Sequence, residues 1–324
     1  MIEQILPDIF RLEVPIPNSP LKATNAYLIR GDDRNLLVDT GINNEKSLAF
    51  ICSGLAELAI DLSKTDFFIT HMHADHSGLI SALKTDTSIL YATAIDAKSI
   101  NNFLMAADPF EKIYIAACRN GLSHEDVVMA INRHPANAVS SKEPLDFTMI
   151  AEGAILTVGD YRFTCIETPG HTKGHVCLYE PNRKILLSGD HILGDISPNI
   201  THWGEGNPLG DFLASLKKIA LLPVDVVLPG HRRIFTDCRT RISELLEHHR
   251  QRADEAFAIL GDGPKTGYQV AASMTWDMVY NSWEDIAAAQ KFFATGEALS
   301  HLRYLECKGL IYSVKDDDHV VYWR

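Results

Sequence analysis

The sequence predicts an α/β protein, and three observations support that fold class. Short apolar segments typical of strands alternate with helical patterns from the amino terminus to about residue 235. Several of these strands are followed at once by a histidine or an aspartate. The last part of the chain has a different pattern, rich in short helices. A chain of 324 residues is long enough for one large domain and one small one, and we expect both.

The composition restricts the class of protein and its partners. Apolar residues at 46% and charged residues at 22% are typical of a globular protein. A net charge of −12 makes nucleic acid an unfavourable partner and leaves a small molecule as the expected substrate. The six cysteines form no C-x-x-C pair and indicate reduced thiols. The sequence has no signal-peptide pattern and no run of 18 apolar residues, so we expect a cytoplasmic protein with no membrane anchor.

The first strands are predicted over residues 9–14, 26–30 and 35–39, with a hairpin turn at Gly31–Arg34. The last of them brings Asp39-Thr40-Gly41 to the edge of a sheet. Two interpretations of this segment are open. It is either a turn and helix cap, or a place where Asp39 accepts a hydrogen bond from a metal-bound histidine.

The densest polar cluster is T-H-M-H-A-D-H-S-G, residues 70–78. A helix predicted over 45–60 and a strand over 65–70 precede it, so it begins at the carboxyl edge of a β-α-β unit. Imidazole and carboxylate groups suit zinc and its first-row neighbours, whereas magnesium and calcium prefer oxygen ligands. An ordinary solvated loop does not account for three histidines and an aspartate within six residues.

Residues 95–140 show long helical patterns and no strand pattern, with breaks at Asp108-Pro109 and His134-Pro135. We interpret them as a helical insertion over the sheet edge, where it would form a lid or a substrate wall.

Three later strands also end in candidate ligands. A strand over 161–167 leads to His171, a strand ending at Gly189 leads to Asp190, and a strand over 224–228 leads to His231. The seven candidates divide between two metal ions. One ion would take His71, His73 and His171, the other would take Asp75, His76 and His231, and Asp190 would bridge them.

Two cations that share a water lower its pKa and polarise the group under attack, so this set predicts a hydrolase with a metal-bridging hydroxide as nucleophile. Asp75 is the expected catalytic residue, because its carboxylate can also orient the hydroxide or pass a proton to the leaving group. Zinc is the expected metal, and the same ligands accept iron or manganese.

Other side chains near these strand ends are candidates for supporting roles. His175 is predicted to support a ligand or to belong to the core, and Tyr179 to pack in the sheet or contact substrate. Lys173 would neutralise a substrate carboxylate or phosphate if it is not merely an exposed loop lysine. His202 and Trp203 lie in a loop after Asp190 and would line the pocket.

The tail predicts a winged-helix domain over 239–324, after a catalytic domain over 1–238. A charged helix and a break at 261–264 precede helices near 266–274, 284–294 and 296–308 and a terminal hairpin. The tail has 10 basic and 13 acidic residues, a net charge of −3, and an acidic wing tip at 316–318. These charges favour packing or homodimer formation over nucleic-acid binding.

The H-x-H-x-D-H motif at 71–76, followed by His171, Asp190 and His231, resembles the metallo-β-lactamase superfamily over about residues 7–235. The resemblance implies an αββα sandwich of two mixed sheets with helices outside and the metals at one sheet edge. With both His171 and Asp190 present, the ligand set resembles that of the glyoxalase II type. The segment 297–305, followed by Gly309, resembles the winged-helix extension of the lactamase-beta-like-2 group.

The sequence therefore predicts a dinuclear hydrolase acting on a small ester, thioester or related acyl substrate. Two alternatives stay open. The first is a metal-dependent endoribonuclease specific for single strands, an activity described in the lactamase-beta-like-2 group. The second is an iron-containing redox or ligand-binding protein that uses the same ligands.

Overall fold

The computed structural model describes residues 1–138, 143–277, 281–316 and 318–324. The predicted end of the helical insertion at residue 140 and the central Asp317 of the predicted wing tip lie outside the described residues. The chain forms two compact units. The first contains Met1–Ala107, Pro135–Pro198 and Ser215–Ile242, and the second contains Asp108–His134, Asn199–Ala214 and Ser243–Arg324.

A seven-stranded mixed sheet forms one layer of the first unit. Its strands are adjacent in chain order, with three antiparallel pairings followed by three parallel ones. The hairpin predicted at residues 31–34 joins the third and fourth strands. The strands are β1 (Ile2–Leu6), β2 (Ile9–Pro15), β3 (Ala23–Ile29), β4 (Asn35–Val38), β5 (Thr65–Phe68), β6 (Leu90–Thr93) and β7 (Thr148–Ile150).

A five-stranded mixed sheet forms the second layer. Its order is β12-β11-β10-β9-β8, and the β11–β12 pair is parallel while the other pairs are antiparallel. Strands β9, β11 and β12 therefore end at the edge where β10 begins. The strands are β8 (Ile155–Val158), β9 (Tyr161–Glu167), β10 (Val176–Glu180), β11 (Ile185–Gly189) and β12 (Val226–Pro229).

The main core lies between the two sheets because strand residues alternate between the two faces of a sheet. Ile29 and Phe68 of the first sheet cluster with Phe163 and Leu187 of the second. Phe67, next to Phe68, points to the other face. There it joins a second apolar cluster with the helices α1 (Glu45–Glu57), α3 (Ile80–Leu83) and α4 (Ala94–Met105). The expected sandwich of two mixed sheets is confirmed.

The two sheets are also connected by hydrogen bonds at the edge where β12 ends. The Asn25 side chain on β3 donates to Pro229 O and Arg232 O, both at 2.9 Å. The Tyr27 hydroxyl donates to the same Pro229 carbonyl at 2.9 Å. Three hydrogen bonds from one strand therefore fix the loop that follows β12. Short helix α2 (Ala74–Ser77) lies in the loop after β5.

The second unit is mainly helical. The predicted insertion is divided, since α4 belongs to the first unit while α5 (Glu111–Arg119) and α6 (His124–Asn132) belong to the second. The predicted carboxy-terminal hairpin is present in a small sheet of order β13-β15-β14. The winged-helix assignment and the domain boundary at residue 238 stay predictions. The other elements are β13 (Lys265–Thr266), α9 (Gly267–Ser273), α10 (Ala288–Cys307), β14 (Tyr312–Asp316) and β15 (His319–Trp323).

Two helices, α7 (Pro208–Ala220) and α8 (Cys238–Ile259), contribute residues to both units. In the middle of α7, Ser215 Oγ donates to Pro169 O at 2.9 Å, in the loop that follows β9. Within the part of the chain that the structure describes, no helix is both long and apolar enough to cross a membrane.

The prediction of two separate helices near 284–294 and 296–308 is wrong, because the single helix α10 runs through Gly296. Trp203 explains how the glycine is accommodated. Its ring stacks on Phe292 with the centroids 4.6 Å apart, and a Cβ on Gly296 would lie 2.9 Å from three atoms of that ring. His202 N donates to Gly296 O at 3.0 Å. The glycine therefore makes room for an aromatic side chain and does not end the helix.

Replacing Gly296 by alanine should lower the stability of the protein. Helix propensity alone favours alanine by about 1 kcal/mol, but overpacking against the Trp203 ring costs about 1–3 kcal/mol. We expect a lower midpoint of urea unfolding for Gly296→Ala. In a Trp203→Leu background the same substitution should be neutral or stabilising. A more stable Gly296→Ala protein in the wild-type background would contradict this account.

Candidate metal centre

Seven histidine and aspartate side chains from different loops converge at one edge of the first unit. The loop after β5 supplies four of them, and the loops after β9, β11 and β12 supply one each. Strands β9, β11 and β12 run in the same direction and end at one edge of the second sheet, and the packing of the two sheets brings the loop after β5 to that edge. The seven are His71, His73, Asp75, His76, His171, Asp190 and His231.

The first group is the histidine trio, which consists of His71, His73 and His171. One nitrogen from each lies within 4.8 Å of the others, and His71 Nε2 is 3.1 Å from His73 Nδ1. Two ligands of one tetrahedral zinc ion lie about 3.3–3.6 Å apart, given metal–ligand bonds of about 2.0–2.2 Å. The donor atoms of the trio therefore fit a single ion.

The second group contains Asp75, His76 and His231. The Nε2 atoms of His76 and His231 are 3.3 Å apart, and His231 Nε2 is 3.3 Å from Asp75 Oδ2. These separations fit the same coordination geometry. The structure thus brings together the two sets of three that the sequence predicted.

Asp190 lies between the two groups. Its Oδ2 is 3.7 Å from His171 Nε2 in the first group and 3.3 Å from His231 Nε2 in the second. Its Oδ1 is 3.5 Å from His76 Nε2. One carboxylate therefore reaches both groups, as a bridging ligand must.

Two histidines of the trio, His71 and His73, are in an environment that disfavours the charged imidazole. Burial, reinforced by the neighbouring histidines, lowers the pKa of His71 well below its ordinary value and the pKa of His73 to about 3. Both rings are thus neutral near pH 7, which is the form in which imidazole binds a metal. These two rings therefore offer lone pairs to a cation.

Two buried carboxylates, Asp75 and Asp190, lie beside the histidines of the second group. Burial opposes protonation of His231, yet Asp190 and Asp75 raise its pKa to about 10. Burial likewise opposes ionisation of Asp190, but His231 and His76 hold its pKa well below the ordinary value. Ionised carboxylates this deeply buried need positive charge beside them. A divalent cation would supply that charge in place of the histidine protons.

Hydrogen bonds outside the seven residues fix the ring orientations. His76 Nδ1 donates to Asp39 Oδ2 at 2.7 Å, which is the contact predicted for Asp39 with a histidine of the motif. The Thr70 hydroxyl donates to Asp39 at 2.8 Å and accepts from His71 Nδ1 at 3.0 Å. His231 Nδ1 donates to Ala23 O at 2.8 Å. Each of these bonds leaves Nε2 directed at the centre.

His175 supports Asp190 and is not one of the seven. Its Nε2 accepts from the Asp190 backbone N–H at 3.1 Å, so its Nδ1 carries the proton and donates to Thr168 Oγ1 at 2.7 Å. His175 directly precedes the antiparallel strand β10, which explains why it reaches the edge where β9 and β11 end. The supporting role predicted for it agrees with these contacts.

The other predicted accessory residues make no contact that assigns them to substrate binding among the residues that the structure describes. Tyr179 is buried, and its hydroxyl donates to Pro223 O at 2.8 Å, a packing role. Lys173 is exposed in the loop after His171. His202 and Trp203 belong to the second unit, where Trp203 packs on α10. A substrate contact by any of them stays a prediction.

Asp96 was not among the residues predicted from the sequence; it lies in the first turn of α4 and is 1% exposed. Its carboxylate accepts hydrogen bonds from Met72 N, Thr172 Oγ1 and Gly174 N. Burial raises the pKa of Asp96 to about 6, although these three bonds act in the opposite direction. The sequence did contain a signal for Asp96, because the residue follows strand β6, the neighbour of β5 in the first sheet. It was instead assigned to the helical insertion.

The family model that matches the chain agrees with this geometry. The model described as metallo-beta-lactamase superfamily matches residues 20–231, which contain all seven residues of the centre. The chain belongs to the metallo-beta-lactamase superfamily. The expectation drawn from the motif is thus confirmed, and the chain is a member of a superfamily of metal-dependent hydrolases.

Individual relatives extend the comparison over the whole chain. A probable metallo-hydrolase of Bacillus subtilis, YqjP, is 25% identical over 97% of this chain and 97% of its own length. The human acyl-coenzyme A thioesterase MBLAC2 is 26% identical over 65% of this chain and 74% of its own length. A solved metallo-beta-lactamase family protein from Thermus thermophilus superposes with a TM-score of 0.84 at 29% identity, covering 99% of this chain and 100% of that one.

Replacing Asp39 by asparagine should weaken metal binding. The substitution removes a carboxylate that orients His76 and, through Thr70, His71. Loss of such a partner typically costs about 10–100-fold in metal affinity, and we expect a drop of about that size in a competition titration against a chromophoric chelator. Asp8 provides the matched control, since it is exposed and has the same φ of 59° as Asp39. Asp8→Asn should bind like wild type, and unchanged affinity in Asp39→Asn would contradict the assigned role.

Proposed function

We propose that the protein is a dinuclear, zinc-dependent hydrolase of a small ester, thioester or related acyl substrate. The observation that carries the proposal is the position of Asp190, whose two carboxylate oxygens lie 3.3–3.7 Å from histidine nitrogens of both groups. A single ion would not need a carboxylate placed between two complete sets of three ligands. We further propose a cytoplasmic location and a possible homodimer, as the sequence predicts.

The ligands divide as predicted from the sequence. The histidine trio would hold one ion, Asp75, His76 and His231 would hold the second, and Asp190 would contact both. When bound, two such cations lower the pKa of a shared water towards neutrality and polarise the acyl carbonyl. Among the possible ions, zinc suits the nitrogen-rich histidine trio, and iron or manganese would be accepted by the same atoms.

Asp75 is the residue to which we assign proton transfer. Its side chain is 17% exposed, against 9% for Asp190, so it is the more accessible carboxylate of the two. Burial opposes ionisation, but His76 and His231 hold the pKa of Asp75 below its ordinary value and keep it ionised. An ionised carboxylate can accept a proton from the attacking water and return it to the leaving group.

The choice of acyl substrate is supported by one relative and by one chemical argument. The relative is MBLAC2, whose name is that of an acyl-coenzyme A thioesterase. The chemical argument is that a thiol has a pKa of about 8.5, so that a thiolate leaves near neutral pH with little need of a proton, whereas an alkoxide needs one. Loss of Asp75 should therefore impair oxygen esters more than thioesters.

A paired substrate panel tests the proposal. The metallated protein is assayed on oxygen esters and coenzyme A thioesters that carry the same acyl chains. We expect hydrolysis that a chelator abolishes and zinc restores. Asp75→Asn should lower kcat by about 100-fold or more on the oxygen esters, with a smaller loss on the matching thioesters. Asp8→Asn is the control that should retain full activity.

Two results would contradict the proposal. One is a folded wild-type protein, carrying two ions, that hydrolyses no member of the panel faster than Asp75→Asn does. The other is cleavage of single-stranded RNA without acyl hydrolysis, which would support the nuclease alternative. Iron and visible absorption in the purified protein would point to the redox alternative.

A further inference from the structure

We propose that Asp96 is a positioning residue that holds together the two loops carrying the histidine trio. It therefore strengthens the binding of the ion held by the trio and not the binding of the other ion. This inference rests on the proposed two-metal centre. Asp96 is not one of the seven residues of the centre. Its carboxylate accepts hydrogen bonds from Met72, Thr172 and Gly174, and none of these three is a proposed ligand.

The hydrogen bonds of Asp96 join segments that are distant in sequence. Its Oδ2 accepts from Met72 N at 3.0 Å, and Met72 stands between His71 and His73. The same oxygen accepts from Thr172 Oγ1 at 2.7 Å, and Thr172 directly follows His171. Every member of the histidine trio is therefore one residue away from a partner of this carboxylate.

A third hydrogen bond and close packing at Gly174 fix the loop that follows β9. Asp96 Oδ1 accepts from Gly174 N at 3.1 Å, and Thr93 Oγ1 at the start of α4 donates to Gly174 O at 2.7 Å. A Cβ on Gly174 would lie 2.5 Å from both Asp96 Oδ1 and Thr93 Oγ1. The loop after His171 is thus held directly against the first turn of α4.

Only a carboxylate suits this position. All three partners of Asp96 are donors, and an ionised aspartate has acceptor sites on both oxygens. Asparagine would turn an NH₂ group towards at least one of those donors, which removes bonds and adds repulsion. Since Asp96 is in the first turn of a 12-residue helix, its position is set by a rigid element.

The histidines of the second group do not depend on Asp96 for their orientation. His76 is oriented by Asp39, and His231 by the carbonyl of Ala23. Within the described residues, the hydrogen bonds to the Asp96 carboxylate from outside α4 come from the loops of the histidine trio. Substitution of Asp96 should therefore weaken the binding of one ion and leave the binding of the other unchanged, whereas a general loss of stability would weaken the binding of both.

The test is a stepwise metal titration of three variants. Apo protein is titrated with Zn²⁺ against a chromophoric chelator, and the titration is repeated with Co²⁺ to record the visible spectrum of each bound ion. We expect Asp96→Asn to bind one ion with wild-type affinity and the other about 10–100-fold more weakly. Thr172→Val, which removes one of the three bonds, should lie between Asp96→Asn and wild type, and it serves as the milder variant if Asp96→Asn folds poorly.

Asp66 provides the matched control and is the third variant. It is another buried carboxylate of the first unit, on β5, and it accepts from Ile89 N at 2.8 Å and from Arg34. Asp66→Asn should lower the unfolding midpoint while leaving both metal affinities in their wild-type ratio. Equal weakening of both ions in Asp96→Asn, or two wild-type affinities in that variant, would overturn the proposal.

The same titration separates this inference from the function on which it rests. If wild type binds two ions but hydrolyses no acyl substrate, the substrate proposal fails and the role of Asp96 is still decided by the affinity ratio. If wild type binds fewer than two ions, the two-metal centre and the selective role of Asp96 are both overturned.

Discussion

The burial of ionised carboxylates among histidines at one sheet edge is the constraint on which the centre depends. The Asp190 side chain is 9% exposed and lies within 3.7 Å of three histidine nitrogens. A charge this deeply buried is tolerated only with compensating charge and hydrogen bonds. The surrounding structure supplies the hydrogen bonds: His175 holds the backbone of Asp190, and Asp39 and Asp96 hold the loops of its neighbours. Metal ions would complete the compensation.

The sequence predicted the ligand set because each ligand follows a strand. Strand patterns are local, and parallel strands must end at a common edge, so His171 and Asp190 could be placed together without coordinates. The contact between Asp39 and the motif was one of two interpretations that the sequence left open, and the structure contains it. Asp96 also follows a strand, but it was assigned to the helical insertion, and its partners, two backbone N–H groups and a hydroxyl, do not identify it by residue type. The break predicted between residues 294 and 296 is absent, and Gly296 inside α10 is accommodated by a distant side chain, Trp203, which no local pattern reveals.

Substrate choice depends on different features from metal binding. The fold and ligand set are shared across a superfamily of hydrolases, and a fold does not specify a substrate. The acyl thioester proposal therefore depends on the accessible, ionised Asp75 and on the likeness to a thioesterase. The Asp96 carboxylate bonds to the loops of the histidine trio, whereas Asp39 orients His76 directly and His71 through Thr70, so a change at Asp96 would alter the affinity of one ion alone.

The central claim is that the seven residues hold two ions, and anomalous X-ray diffraction at the zinc edge tests it most directly. Crystals of the zinc-loaded protein should show two anomalous peaks about 3.5–4 Å apart, with the Asp190 carboxylate between them. One peak should lie within the histidine trio and the other among Asp75, His76 and His231. A single peak at full zinc loading, or a second peak away from Asp190, would contradict the account.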